Sequence, residues 1–164
     1  AKEIQEKDYP DIYLNNTNID AQMMWMTKNP ENYGVIVSGN MFGDIVSDGF
    51  AGLIGGLGFA CSAQANPDTG VGVFEPTHGT APKYRGKDKV NPSSLILSGK
   101  MMFEYIGWEK AAELIENNLV KTIKQKKVTY DLERQLKGAK KLKCSEFAKE
   151  IVKNIKTNKN SKNK

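Results

Sequence analysis

The 164-residue sequence is short of the residues that build several common kinds of site: it holds one histidine and two cysteines. Cys61 and Cys144 lie far apart and neither belongs to a C-x-x-C pair. A zinc site and a redox couple are therefore not indicated, and each thiol reads as a small, partly buried hydrophobe. No apolar run reaches the roughly 18 residues a membrane span needs. The start, Ala1-Lys2-Glu3-Ile4, mixes charge with apolar character and does not look like a signal peptide. A soluble, cytoplasmic protein is the expectation. Aromatic residues are also few, at 9%, and they are not interleaved with lysine as a nucleic-acid stacking surface requires. The charge itself is lopsided: residues 137–164 carry ten lysines against two glutamates, a local +8 that leaves −3 for the rest of a +5 chain. That segment reads as a solvated helix face followed by a disordered basic tail at 157–164.

What is present suits a single core: 39% hydrophobic and 26% charged residues, with 1–156 as one unit. Ile4 to Pro10 reads as a helix end broken by proline, and Ile12-Tyr13-Leu14 as a short strand. Apolar residues at Ile19, Met23, Met24 and Met26 predict a helix over Ile19–Lys28 that stops before Asn29-Pro30. Val35-Ile36-Val37 has the β-branched continuity of a strand covered on both faces. From Asp44 to Gly58 the pattern is helical but rich in glycine, which costs about 1 kcal/mol per interior position and so implies close packing. Val71–Phe74 is a second strand candidate, and Pro92–Ile106 a helix with Asn91 as N-cap and proline in the first turn. Trp108–Lys124 places its acids early and its lysines late, as the helix dipole prefers. Val128-Thr129-Tyr130 reads as extended and Ser145–Ile155 as a last helix capped by Ser145. Alternating strands and helices define an α/β chain.

Chemistry concentrates in two places. Asp44 and Asp48 are four apart near a predicted helix start after a strand, so both carboxylates share one face where open α/β sheets bind ligands. Such a pair suits Mg²⁺ or Mn²⁺, although first-turn acids favoured by the dipole have the same spacing. The second place is the loop after Phe74, where His78, Gly79, Thr80, Ala81, Pro82, Lys83 and Tyr84 crowd a histidine, hydroxyls and a cation between glycine and proline. The run Gly56-Leu57-Gly58-Phe59-Ala60-Cys61 lacks the last glycine of a dinucleotide fingerprint and follows a helix, so no Rossmann site is indicated.

Four strings in order make the chain specific: Asn40-Met41-Phe42-Gly43-Asp44-Ile45-Val46-Ser47-Asp48, Gly55-Gly56-Leu57-Gly58, His78-Gly79-Thr80-Ala81-Pro82 and Lys87-Asp88-Lys89-Val90-Asn91-Pro92. Together they resemble the isocitrate and isopropylmalate dehydrogenases over essentially all of 1–156. The resemblance implies the C-terminal portion of that α/β fold, with the family's substrate-binding and proton-transfer residues upstream of Ala1, so that catalytic residues are left unassigned. It implies a metal at Asp44 and Asp48, with Asp20 contributed to a neighbouring subunit's site in a homodimer. The metal would chelate the substrate's hydroxyl and carboxylate and stabilise the enolate left when CO₂ departs. The helix over Asp48–Gly58 and the methionine-rich helix over Ile19–Met26 are the expected intersubunit surfaces. It further implies that the loop from His78 to Tyr84 holds the cofactor's adenosine portion, with Asn91 near the adenine and Glu75 nearby.

Cofactor choice has a physical side. A ribose 2′-phosphate wants cations and hydroxyls where NAD's ribose wants an acid. Lys83 and Tyr84, with Tyr130 and Arg134 further on, resemble the phosphate-binding set of bacterial-type NADP-dependent isocitrate dehydrogenases. The tail from Lys141 to Phe147 resembles the same branch, whereas Met41-Phe42 is more similar to isopropylmalate and NAD-linked members. Isocitrate is thus the expected substrate, with isopropylmalate, homoisocitrate or tartrate as alternatives and a non-catalytic subunit of the same fold as a further one.

Overall fold

The computed structural model describes the backbone of residues 1–161 and the side chains of residues 1–156. The chain divides into two units, 1–54 and 55–164. The first is helical. Helix α1 spans Lys2–Asp8 and buries nothing. Helix α2 spans Ile19–Lys28, the predicted bounds, and buries Gln22 and Met26, four apart on one face. Helix α3 spans Asn40–Leu53, earlier at both ends than the sequence suggested. Gly55 and Gly56 at φ 114° and 107° are closed to a helix and end it. The two helices pack at Gly49, where an added Cβ would meet the Met26 and Met23 methyls at 2.5 and 3.2 Å, and Tyr33 meets Phe50 edge-on at 5.9 Å. The glycine and the methionines are thus used against each other within the chain.

Two strand expectations fail in this unit. Residues 12–14 and 35–37 form no ladder, and Tyr13, Val35 and Val37 are 88%, 89% and 76% exposed. A strand exists only through a hydrogen-bonded neighbour, and among the described residues nothing pairs with either run.

In the second unit, β1 (Cys61–Ala65) and β2 (Gly72–Pro76) form an antiparallel hairpin, Cys61 opposite Pro76 and Ala65 opposite Gly72. Asn66 shapes the turn by accepting from the Asp68 and Thr69 amides, and Gly70 supplies φ 70°. Only β2 was foreseen, because Cys61-Ser62-Ala63-Gln64-Ala65 is too small and polar to read as a strand. Helix α4 (Ser93–Tyr105) lies on this hairpin: the Ser94 amide donates to the Gly58 carbonyl, the Ser94 hydroxyl to that of Ala60, and the Tyr105 hydroxyl to that of Gly70. Pro92, not Asn91 as expected, holds the N-cap position of α4, and Asn91 one residue earlier accepts from the Ser93 amide at 2.9 Å.

Helix α5 (Glu109–Lys124) packs on α4 and on α7 (Cys144–Ser161). The core joins Leu119, Leu142, Phe147 and Ile151 to Ile96, Leu97, Ile123 and Ile155. Strand β3 (Lys127–Val128) pairs in parallel with β4 (Lys140–Lys141), and the short helix α6 (Tyr130–Glu133) fills the crossover. Helix α7 does not start as predicted. Ser145 lies inside it and caps nothing; its amide and hydroxyl both donate to Asp88, whose carbonyl accepts from the Cys144 amide. Glu146 reaches back to the Lys143 amide, half of a capping box. The helix also continues past Ile155 to Ser161, so the tail expected at 157–164 meets helical backbone over 157–161 and otherwise lies outside the described residues. Both cysteines are partly buried and free.

Candidate functional site

The loop from Thr77 to Pro92 joins β2 to α4 and carries three left-handed residues: Ala81, Gly86 and Asp88, at φ 43°, 72° and 48°. For alanine and aspartate that conformation costs on the order of 1 kcal/mol each, so the loop has a defined path. His78 and Gly79 open it, the imidazole Nδ1 lying 3.0 Å from the Gly79 carbonyl. A carbonyl only accepts, so Nδ1 carries the proton. Thr80 and Ala81 lead into a 3₁₀ turn, Pro82–Tyr84, that presents Lys83 and Tyr84. Glu75, on β2, accepts from the Gln64 side chain at 2.9 Å.

The downstream residues arrive on α6. Thr129 and Asn91, both buried, donate to the two carboxylate oxygens of Asp131 at 2.6 and 2.9 Å. That clamp ties the loop's end to the start of α6 and fixes Tyr130 between its two members. Gly58 makes it possible, since a Cβ there would stand 3.1 Å from the Asn91 Cβ and 3.2 Å from an Asp131 oxygen.

The result gathers all four residues of the predicted phosphate set. Tyr84 and Tyr130 lie with ring centroids 6.2 Å apart. The neighbouring Tyr130 hydroxyl, followed by the charges of Lys83 and Lys89, lowers the Tyr84 phenol from its ordinary range. The Tyr84 hydroxyl in turn raises Tyr130, whose partner can take the negative charge first. Lys83 stands 5.2 Å from the Tyr84 ring and Arg134 5.4 Å from the Tyr130 ring. Sequence reasoning gave no role to Lys89, which stands 4.7 Å from Tyr130 and 5.8 Å from Tyr84. Asp131 and Gly58 were missed as well. Thr129-x-Asp131, a hydroxyl two residues before an acid at a helix start, was the one local signal available for the clamp.

The acidic residues sit in the first unit. Asp44 and Asp48 are both exposed on α3, in its second and third turns, four apart and with no salt bridge to the described residues. No strand precedes them, so the strand-end setting expected from sequence is not what positions them. Asp20, second in α2, accepts from the Ala21 amide at 2.7 Å, while Asn18 holds the N-cap position. Among the described residues no three potential ligands converge, so Asp20 does not complete a site with Asp44 and Asp48 within the chain. The α3 pair by itself offers unpaired, hard oxygen donors of the kind Mg²⁺ or Mn²⁺ takes.

These are the features of an α/β protein whose candidate site is built on a loop and a short helix. Residues 1–151 match the family described as isocitrate/isopropylmalate dehydrogenase, and the chain belongs to it. It is 48% identical over 149 residues to isocitrate dehydrogenase [NADP] of Helicobacter pylori, covering 91% of this chain and 35% of that protein. It is 42% identical over 156 residues to the isocitrate dehydrogenase [NADP] of Staphylococcus aureus, covering 95% and 37%. The crystal structure of isocitrate dehydrogenase from Methylococcus capsulatus superimposes with a TM-score of 0.84 at 39% identity, over 94% of this chain and 44% of that one. The chain thus spans about a third of the length of the curated relatives it matches. Among the described residues no helix is long and apolar enough to cross a membrane.

Proposed function

We propose that this chain is the metal- and cofactor-binding portion of an NADP-dependent isocitrate dehydrogenase, which oxidises isocitrate to 2-oxoglutarate and CO₂. The observation that carries the cofactor assignment is the meeting of Lys83, Tyr84, Tyr130 and Arg134, cations and phenols with no carboxylate of the described residues paired to any of the cations. A 2′-phosphate supplies the missing negative charge and accepts from the phenols, whereas the 2′-hydroxyl of NAD is neutral and leaves the cations unpaired. His78 to Tyr84 line the adenosine portion, with Asn91 toward the adenine and Glu75 at the edge. Asp44 and Asp48 would hold the divalent cation, which would supply Lewis acidity toward the substrate's oxygens. Asp20 serves a partner's site in a cytoplasmic homodimer, and proton transfer falls to residues outside this chain.

Lys83→Asp with Tyr84→Ile in the complete enzyme tests the cofactor assignment. NADP binding should weaken by roughly 3 kcal/mol or more, through lost charge-assisted bonds and new repulsion, with NAD much less affected. Equal loss for both cofactors overturns it. Met41-Phe42 favours the isopropylmalate side of the family, so a screen of isocitrate, isopropylmalate, homoisocitrate and tartrate on the same enzyme decides the substrate.

A further inference from the structure

Lys89 holds a position that the four-residue set does not explain. Among the described residues its ammonium is the one cation within 6 Å of both ring centroids, 4.7 Å from Tyr130 and 5.8 Å from Tyr84, whereas Lys83 faces one ring and Arg134 the other. Cations settle over phenol faces at such distances, and the contact costs Lys89 none of its three N–H donors, which stay available for an anion. Like Lys83 and Arg134, it has no carboxylate partner among the described residues. Asp131, the acid next to Tyr130 on α6, is spent on Thr129 and Asn91. The other acid in the loop, Asp88, is turned to Ser145 and the start of α7.

That second pairing also positions Lys89. Asp88 is pinned by its carbonyl to the Cys144 amide and by both carboxylate oxygens to Ser145, and its left-handed backbone fixes the direction in which the chain leaves for Lys89. Lys83, by contrast, rides on a three-residue turn. Three cations and two phenols in one cluster make a charge near +3, more than a carboxylate neutralises and well matched to a phosphate monoester dianion.

We infer that Lys89 is a fifth, specificity-determining member of this site, the cation that bridges the two tyrosines and binds the terminal phosphate monoester of the cofactor's ribose. This rests on the NADP reading above, and the test separates the two. In the complete enzyme, Lys89→Gln should weaken NADP and adenosine 2′-phosphate roughly tenfold, the worth of a charge-assisted bond at an exposed site. NAD and adenosine should change less than about twofold, and Lys89→Arg should restore most of the loss. The KM for NADP should rise with kcat unchanged, since the interaction is uniform through the reaction. The salt dependence of NADP binding should also flatten in Lys89→Gln. Lys89 is exposed, so its replacement leaves the buried core untouched. If Lys83→Gln discriminates between the two cofactors and Lys89→Gln does not, the inference falls and the NADP reading stands. If neither discriminates, both fall. An equal loss for NADP and NAD in Lys89→Gln, unrescued by arginine, makes Lys89 a structural residue and overturns the inference.

Discussion

Gly58 sits where two side chains from distant parts of the sequence close on a backbone, Asn91 from the loop and Asp131 from α6. Gly58→Ala should cost about 1–3 kcal/mol of stability, as overpacking at a tight site does, and should weaken NADP binding in the complete enzyme, because the clamp that sets Asn91 and Tyr130 must open. Denaturant unfolding and an NADP titration check the two effects; an alanine variant with both unchanged means the clamp yields freely. The glycine run was legible as a sign of close packing, but what it packs against was not. Lys83, Tyr84, Tyr130 and Arg134 could be singled out because their residue types match a phosphate. Lys89 could not, since Lys87-Asp88-Lys89 in a sequence reads as solvated charge until the fold brings the third residue beside Tyr130.

At the scale of elements, the start of α7 depends on a residue far upstream. The Ser145 hydroxyl, then its amide, hold the Asp88 carboxyl below the ordinary aspartate range. A carboxyl lowered in the folded state stabilises fully above its unfolded value of about 4 and loses that contribution as the pH falls through the lower folded value. The junction between loop and α7 should therefore loosen below about pH 4, and Asp88→Asn should remove that part of the acid sensitivity. Amide exchange at Cys144 and Ser145 against pH reports it; the same profile in both proteins would leave Asp88 without a role there. Glu150, lowered by its hydrogen bond to Lys127, acts in the same direction between α7 and β3. Helices α2, α4 and α5 were readable because their apolar spacing and end residues are local. Residues 35–37 were misread as an element because a strand is a property of two segments, and β-branched sequence specifies only one of them.

For the molecule as a whole, the expectation is a division of labour between this chain and residues outside it. The 164-residue chain alone should form no NADPH from isocitrate with Mn²⁺, since the proposed function leaves it without proton-transfer groups; turnover by the purified chain would show that it is self-sufficient. In the complete enzyme, Asp20→Asn should lower metal affinity substantially with NADP affinity nearly unchanged, and metal should promote dimerisation, because carboxylates gathered across an interface need a cation between them. A variant that loses thermal stability yet titrates Mn²⁺ normally would make Asp20 a helix residue only. By itself the sequence determined the α/β class, most helices and the residue types of both candidate sites, because those depend on local spacing, capping and chemical identity. Only the tertiary structure decided that Lys89 joins the tyrosines, that Asp131 and Gly58 hold Asn91, and that Asp88 rather than Ser145 secures the start of α7. Each of these needs side chains distant in sequence to meet, and distance in space is the quantity that a linear pattern does not encode.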